Sequence, residues 1–315
     1  MKSIKITKTG AYLPEIKKKN EELEKELKLE NGYIKKRTGI EERYYLKPEE
    51  EQKDIAKKLV KNTLKDEKDI DLIITATTTP TNIMPGISNI IQKELGIKTC
   101  IAFDILAGCA GFINAIDIAQ KYIETTTAKK ALVVGIEQLS KYINKADTGT
   151  SIILSDGAGA VLLEETSENK KYYSNIETTI DEKDILKTYM KDKKLKLEMN
   201  GKEVYKYAVT ETVKNLEKLL KESNETLENI KYIVPHQSNL KIIKSIANRL
   251  GTDIINKMYI NIDKFGNTFC ASIPIALDEM MRKKIIKPGD KIILLSLICF
   301  SYFLYFYFSS ILYFY

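Results

Sequence analysis

Short apolar runs alternate with amphipathic stretches along most of this chain, which is the pattern of an α/β architecture. The runs at 71–75 (DLIIT), 100–105 (CIAFDI), 131–135 (ALVVG) and 160–163 (AVLL) predict buried strands. Between them, 52–64, 86–95 and 110–123 carry apolar residues at helical spacing. The second half repeats the scheme: 204–222 and 240–250 predict helices, and 232–234, 258–262 and 291–295 predict strands. The most charged stretch, 17–30 (KKKNEELEKELKLE), predicts a solvated helix with Glu and Lys three and four apart.

Two echoes link the halves. Asp69-Ile-Asp-Leu-Ile-Ile-Thr75, with Pro80 beyond it, resembles Asn229-Ile-Lys-Tyr-Ile-Val-Pro235. Lys130-Ala-Leu-Val-Val-Gly135 matches Asp290-Lys-Ile-Ile-Leu-Leu295. In the first pair a polar helix end leads into an apolar strand and a proline-marked exit. Together the echoes predict a duplicated α/β unit.

The 315 residues suffice for one large α/β domain or two fused ones, and 43% hydrophobic with 30% charged is a soluble globular composition. The net charge of +7 comes without a Lys/Arg run interleaved with aromatics, so a nucleic-acid partner is not expected. A mild basic surface suits an acidic protein partner or a phosphorylated cofactor. Cys100, Cys109, Cys270 and Cys299 form no CxxC pair, which argues for reduced cytosolic thiols and against a zinc ribbon or disulfide framework. The opening MKSIKITKTGAYLPE holds no apolar secretion segment, so a cytoplasmic location is expected. His236 is the single histidine, which excludes any site built from two imidazoles of one chain.

The strongest local feature is Phe103-Asp-Ile-Leu-Ala-Gly-Cys109-Ala-Gly111: a strand, a small-residue turn, then a helix, the elbow that exposes a nucleophile. Amides at a helix N-terminus favour a thiolate, and Gly108 and Gly111 let substrate and backbone come close. The plain alternative is a buried structural cysteine. His236 follows a strand in Val234-Pro-His-Gln-Ser-Asn239, with core or surface histidine as its plain alternative. Asn267 stands in Lys264-Phe-Gly-Asn-Thr-Phe-Cys-Ala-Ser272, a glycine-marked exit from a strand. Sites in α/β sheets gather at strand C-terminal ends, so Cys109, His236 and Asn267 are expected at three equivalent strand ends around one pocket.

AGCAGF, PHQSN and GNT-x-x-AS, in this order and spacing, resemble the beta-ketoacyl-acyl-carrier-protein synthase III family, the initiating condensing enzymes of fatty acid synthesis, over roughly 1–296. Supporting segments are Lys36-Arg-Thr-Gly-Ile-Glu-Glu-Arg-Tyr44, Thr77-Thr-Thr-Pro80, Ser155-Asp-Gly-Ala-Gly-Ala-Val161, Met199-Asn-Gly-Lys-Glu-Val-Tyr-Lys206 and Ile286-Lys-Pro-Gly-Asp290. The resemblance implies a thiolase-like α/β fold, with duplicated halves at 1–168 and 169–296 packed as a five-layered αβαβα sandwich, normally in a homodimer. It implies that Cys109 takes an acyl group from acyl-CoA. His236 and Asn267 would then hydrogen-bond the thioester oxygen of malonyl-acyl carrier protein as carbon dioxide leaves, giving a 3-oxoacyl carrier protein. Acyl-CoA is on this reading a substrate; no permanently bound cofactor and no metal is expected.

One histidine fits the Cys-His-Asn set and excludes the Cys-His-His set of elongating relatives. A thiolase-type Cys-His-Cys set would need Cys299, whose neighbours are Ile298 and Phe300 rather than glycines. The resemblance maps CoA contacts onto Tyr33, Arg37, Gly201, Tyr205 and Asn239, and carrier-protein contacts onto Lys206 and Lys241. Met84 falls where a partner subunit lends a side chain to the acyl pocket.

Two departures matter. Thr148 replaces an arginine that stacks on the CoA adenine, which predicts weaker adenine binding. After Leu295 the family's Gly-Phe-Gly-Gly-Gly loop, which supplies an oxyanion-hole amide, gives way to Ser296-Leu-Ile-Cys-Phe-Ser-Tyr302, and no glycine follows Gly289. Ten of the sixteen residues from Phe300 to Tyr315 are Phe or Tyr, and no charge occurs after Lys291. The uncharged run Ile292–Tyr315 is long enough to cross a core of about 30 Å as a helix, yet tyrosine belongs at membrane interfaces. Residues 297–315 are therefore read as an aberrant tail with three explanations: a shifted reading frame, a membrane anchor, or a divergent final strand that alters the active site. These departures also suit a second function, a non-catalytic relative that binds acyl-CoA or acyl carrier protein.

Overall fold

The computed structural model describes residues 3–144, 147–167, 172–179, 183–191, 194–300 and 304–313. Its elements begin with β1 (Ser3–Tyr12), β2 (Ile16–Lys19), α1 (Asn20–Glu26), α2 (Tyr33–Thr38), β3 (Glu42–Tyr45), α3 (Gln52–Thr63), β4 (Leu72–Ala76) and α4 (Ile87–Leu95). There follow β5 (Ile101–Ile105), α5 (Gly111–Thr125), β6 (Lys130–Glu137), α6 (Thr148–Ser151), β7 (Gly157–Thr166), β8 (Tyr173–Thr179), β9 (Leu186–Lys191) and β10 (Lys194–Met199). The chain continues through α7 (Gly201–Ser223), β11 (Tyr232–Pro235), α8 (Leu240–Leu250), α9 (Ile262–Phe265), α10 (Ser272–Arg282), β12 (Lys291–Phe300) and β13 (Leu304–Tyr313).

Two sheets carry the fold, one ordered β1-β7-β6-β4-β5 and the other β11-β12-β13-β8. Starting from β1 in the first and β8 in the second, both pair antiparallel, antiparallel, then parallel. Where the first sheet has β5, the second has a single parallel bridge between Ile233 and Met258. The sequence echoes land on matching strands, β4 with β11 and β6 with β12. Duplication is thus a property of the topology as well as of the sequence.

The layers follow from burial. β4 is buried along its whole length, as a continuous apolar strand must be when helices cover both of its faces. On one side α3 and α4 pack Ile55, Leu59 and Ile91 against Ile73, Leu132 and Val134. On the other, α5 and α10 lie between the sheets. Phe112, Ile116, Ile273 and Leu277 share one core with Ile74 and Val133 of the first sheet and with Val234 and Ile292 of the second. α7 and α8 close the far side through Leu216, Ile243 and Ile246. This is the expected five-layered αβαβα sandwich. Close contact between α10 and the first sheet depends on Gly135, where a Cβ would lie 2.5 Å from the Cys270 carbonyl oxygen.

Several expectations change. The charged stretch 17–30 is not one surface helix: its start pairs with β3 as β2, and only Asn20–Glu26 is helical. Leu23 and Glu24 are buried because Leu23 enters a core and Glu24 accepts from the amides of Gly32 at 3.0 Å and Ile34 at 2.8 Å. That carboxylate caps α2 in place of a side chain from its own N-cap residue. The strand expected at 258–262 is reduced to one bridge, and α9 begins at Ile262. Gln237 is the reason: its Oε1 accepts from the Asn261 and Ile262 amides at 3.0 and 3.1 Å, and its Nε2 donates to the Tyr259 carbonyl. β1, β8 and the β9–β10 hairpin were not legible as strands.

The expected boundary at 168/169 lies outside the described residues, as do 301–303 and 314–315 of the expected tail. Leu304–Tyr313, within the stretch read as an aberrant tail, forms β13, paired with β12 on one side and β8 on the other. Among the described residues no helix is long and apolar enough to cross a membrane.

Candidate active site

Cys109 sits in a 3-10 turn, Gly108–Ala110, that carries the chain from β5 into α5. The turn needs a left-handed residue, and Gly108, with φ of +52°, enters that region without a Cβ penalty. The half-buried Cys109 lines a cavity of about 870 Å³ shared with His236 and Asn267.

His236 follows β11, and its amide donates to the Leu295 carbonyl at 2.6 Å, which ties the loop to β12. Its Nδ1 lies 2.7 Å from the hydroxyl oxygen of Ser272, the first residue of α10. The Gln237 amide donates to that same oxygen at 3.3 Å. Ser272 therefore has its own proton for Nδ1, which favours the tautomer with hydrogen on Nε2. Burial pushes the imidazole down to about 3, so it is neutral near pH 7. A neutral ring with hydrogen on Nε2 donates hydrogen bonds.

Asn267 is held by its backbone and oriented by a neighbour. Its amide donates to the Ile153 carbonyl at 2.9 Å, and its carbonyl accepts from Ser155 at 3.0 Å. Its side-chain Oδ1 accepts from the Phe269 amide at 3.0 Å, which leaves Nδ2 as the donor end. It follows α9 rather than a strand, so the expectation of three equivalent strand ends fails for this residue. The three side chains nonetheless meet at one cavity.

The less buried part of the cavity lining carries the exposed Arg37, Gly201, Tyr205 and Lys241 and the half-buried Tyr33, Asn239 and Thr148. The Arg37 guanidinium lies 4.4 Å from the Tyr33 ring centroid. Tyr205 hydroxyl meets Ser245 at 2.5 Å, while Asn239 caps α8 and reaches the Arg37 carbonyl at 3.3 Å. Met84 and Lys206 do not line this cavity. Met84 is 88% exposed, beside a loop whose Ile87 amide donates to Asp104 of β5 at 2.6 Å.

Residues that the sequence did not single out complete the surroundings. Ser272 was visible only as the last letter of GNT-x-x-AS, and Leu186, Thr188 and Leu197 of the β9–β10 hairpin line the cavity without a motif. Glu137 ends β6 fully buried, accepting from the Thr78 amide at 2.9 Å, the Thr79 hydroxyl at 2.6 Å and the Cys270 thiol at 3.1 Å. Burial pushes its carboxyl up to about 7. The Thr77-Thr-Thr segment thus exists to satisfy a buried carboxyl, and the signal was a lone Glu closing an apolar strand.

Comparison with known proteins agrees with this geometry. The family described as 3-oxoacyl-[acyl-carrier-protein (ACP)] synthase III matches residues 103–181, and its C-terminal counterpart matches 220–297. The beta-ketoacyl-[acyl-carrier-protein] synthase III of Clostridium tetani is 41% identical over 316 residues, covering 93% of this chain and 94% of that protein. This chain belongs to the beta-ketoacyl-[acyl-carrier-protein] synthase III family. The Clostridium novyi member is 40% identical over 309 residues, covering 93% of this chain and 95% of that protein. The crystal structure of the synthase III from Aquifex aeolicus superposes with a TM-score of 0.90 at 34% identity, covering 98% of this chain and all of that one. The C-terminal match ends at Leu297, just before the aromatic-rich stretch that starts at Phe300.

Proposed function

We propose that this protein is an initiating condensing enzyme that joins an acyl group from acyl-CoA to malonyl-acyl carrier protein. What supports the reading most directly is the convergence of Cys109, His236 and Asn267 on one cavity whose outer part carries Arg37, Tyr33 and Lys241.

Cys109 attacks the acyl-CoA carbonyl from the start of α5, whose amides favour its thiolate. A new C–S bond forms, the CoA thiolate leaves, and the cysteine proton goes with it. Malonyl-acyl carrier protein then loses carbon dioxide: the C–C bond to the carboxylate breaks and its electron pair enters an enolate. Charge develops on the thioester oxygen, and His236 Nε2–H and Asn267 Nδ2–H donate to it. Because His236 is neutral, it stabilises this oxygen without surrendering a proton to it. The carbanion carbon attacks the acyl-Cys109 thioester and expels the cysteine thiolate, giving 3-oxoacyl-acyl carrier protein.

Tyr33, Arg37, Gly201, Tyr205 and Asn239 serve the CoA arm, and Lys206 with Lys241 meets the acidic carrier protein. The working form is a homodimer in the cytoplasm. β5 is the outer strand of its sheet, and Ile83, Met84, Ile101 and Leu106 are exposed near it, a surface suited to a second copy. Met84 would then reach the partner's acyl pocket. The test is incubation with acyl-CoA and malonyl-acyl carrier protein: acyl transfer to Cys109 followed by a 3-oxoacyl product is expected, and normal turnover in Cys109→Ala refutes the reading.

A further inference from the structure

The turn that carries Cys270 repeats the one that carries Cys109. Gly108-Cys109-Ala110 enters α5, Phe269-Cys270-Ala271 enters α10, and the residue before each cysteine has positive φ, +52° and +46°. Glycine meets that demand freely. An aromatic residue there is strained and persists only where its surroundings fix it.

The surroundings of Phe269 do so. Its amide is held by Asn267 Oδ1 at 3.0 Å. Its side chain is 9% exposed, in a cluster with Leu139 and Leu154 against which Cys109, Ile143, Ile153 and Leu197 pack. Phe269, Ile153 and Leu197 also line the cavity together with Cys109. Because Cys109 itself packs against this apolar cluster, an acyl chain carried on its sulfur meets it. Among the described residues Phe269 is the only aromatic one in the cluster, and it is anchored through the same amide that orients Asn267.

We propose that the Phe269 ring is the wall that limits the acyl group accepted by Cys109, restricting the enzyme to short starters. The inference rests on acyl transfer to Cys109 as proposed above. Shortening the side chain opens space toward Leu139 and Leu154, and an apolar pocket distinguishes neighbouring chain lengths by roughly 10- to 200-fold. The strain has a use here: it turns a large side chain toward the thiol from a position where a strand or helix would aim it elsewhere.

The test uses the full chain with straight acyl-CoA thioesters from acetyl to octanoyl, reading acylation of Cys109 by intact-protein mass and initial rate. The expected result is a steep fall with length in the wild type. Phe269→Ala raises the octanoyl-to-acetyl rate ratio by about tenfold or more, and Phe269→Leu gives a smaller rise. Thermal melting identifies a folded variant, and if the alanine variant unfolds, the leucine variant decides by the same ratio. An unchanged ratio in a folded variant that still takes acetyl overturns this inference alone. No acylation of wild-type Cys109 by any donor overturns both this inference and the function it rests on.

Discussion

Two turns in this molecule share a Cys-Ala pair and the same backbone turn, yet have opposite chemistry. Gly108-Cys-Ala-Gly111 leads into α5 and Phe269-Cys-Ala-Ser272 leads into α10, matching helices of the two halves. The first cysteine is half-buried and lines the cavity. The second is fully buried, its sulfur 3.1 Å from both the Ala76 carbonyl and Glu137, either of which can accept its one proton, and burial beside that carboxyl holds it well above the usual thiol range. Glycines flank the first, so substrate can approach. Phenylalanine and serine flank the second; one walls the cavity and the other orients His236. Duplication supplied two equivalent scaffolds, and small changes at their flanks divided nucleophile from support.

The largest contrast to test is between the two thiols. Cys109→Ala should abolish acyl transfer, while Cys270→Ala should still be acylated and lose about 1 kcal/mol of stability with its hydrogen bonds. Urea unfolding and acyl incorporation measured side by side check both, and a Cys270→Ala protein that takes no acyl group breaks the comparison. Next in size, His236→Ala should lower condensation about 10²- to 10³-fold, the usual cost of one oxyanion donor, while Cys109 still becomes acylated.

Much of this was legible in the sequence, and the reasons for the rest are physical. Buried strands and long helices announce themselves by periodicity, and the Cys109 elbow by its glycines. Ser272 and Glu137 gave no signal of either kind, because their roles depend on partners distant in the sequence, His236 for the one and Thr78, Thr79 and Cys270 for the other, rather than on local pattern. Gln237 erased a strand at 258–262 by taking over its amides, and a side chain that replaces a ladder cannot be read from periodicity. The charged stretch 17–30 misled for the opposite reason: Glu24 is buried by the amides it accepts, in spite of its charge.

A finer prediction concerns the second turn's serine. Ser272→Ala should reduce condensation about tenfold by freeing the ring of its tautomer. Because His236 is the single histidine, its imidazole nitrogen NMR signals need no assignment. The wild type should show the Nε2–H form without titration over the range where a free histidine titrates, about pH 5–8. The variant should show mixed tautomers; an unchanged spectrum would remove Ser272 from the account.

A pH dependence of stability is carried by Glu137. Its carboxyl is raised from 4.5 to about 7 on folding, so the folded state prefers the protonated form. The stability it contributes is complete below pH 4.5 and is lost as pH rises through 7. Unfolding measured across this range should show the wild type losing on the order of 3 kcal/mol relative to Glu137→Gln, with no further loss above it. A difference that grows in the other direction would contradict the burial of a protonatable carboxyl. The smallest effect expected is at the cavity's exposed end, where Thr148→Arg should lower the KM for acyl-CoA a few-fold through stacking on the adenine.

The most direct measurement follows one acetyl group through both steps. Acetyl-CoA is added to wild-type protein and to His236→Ala, the Cys109 peptide is weighed by mass spectrometry, and malonyl-acyl carrier protein is then supplied. One acetyl group should appear on Cys109 in both proteins, leave the wild type as a 3-oxoacyl carrier protein, and remain trapped on the variant. An acetyl group found elsewhere, or release from His236→Ala at the wild-type rate, would contradict the division of labour between Cys109 and His236.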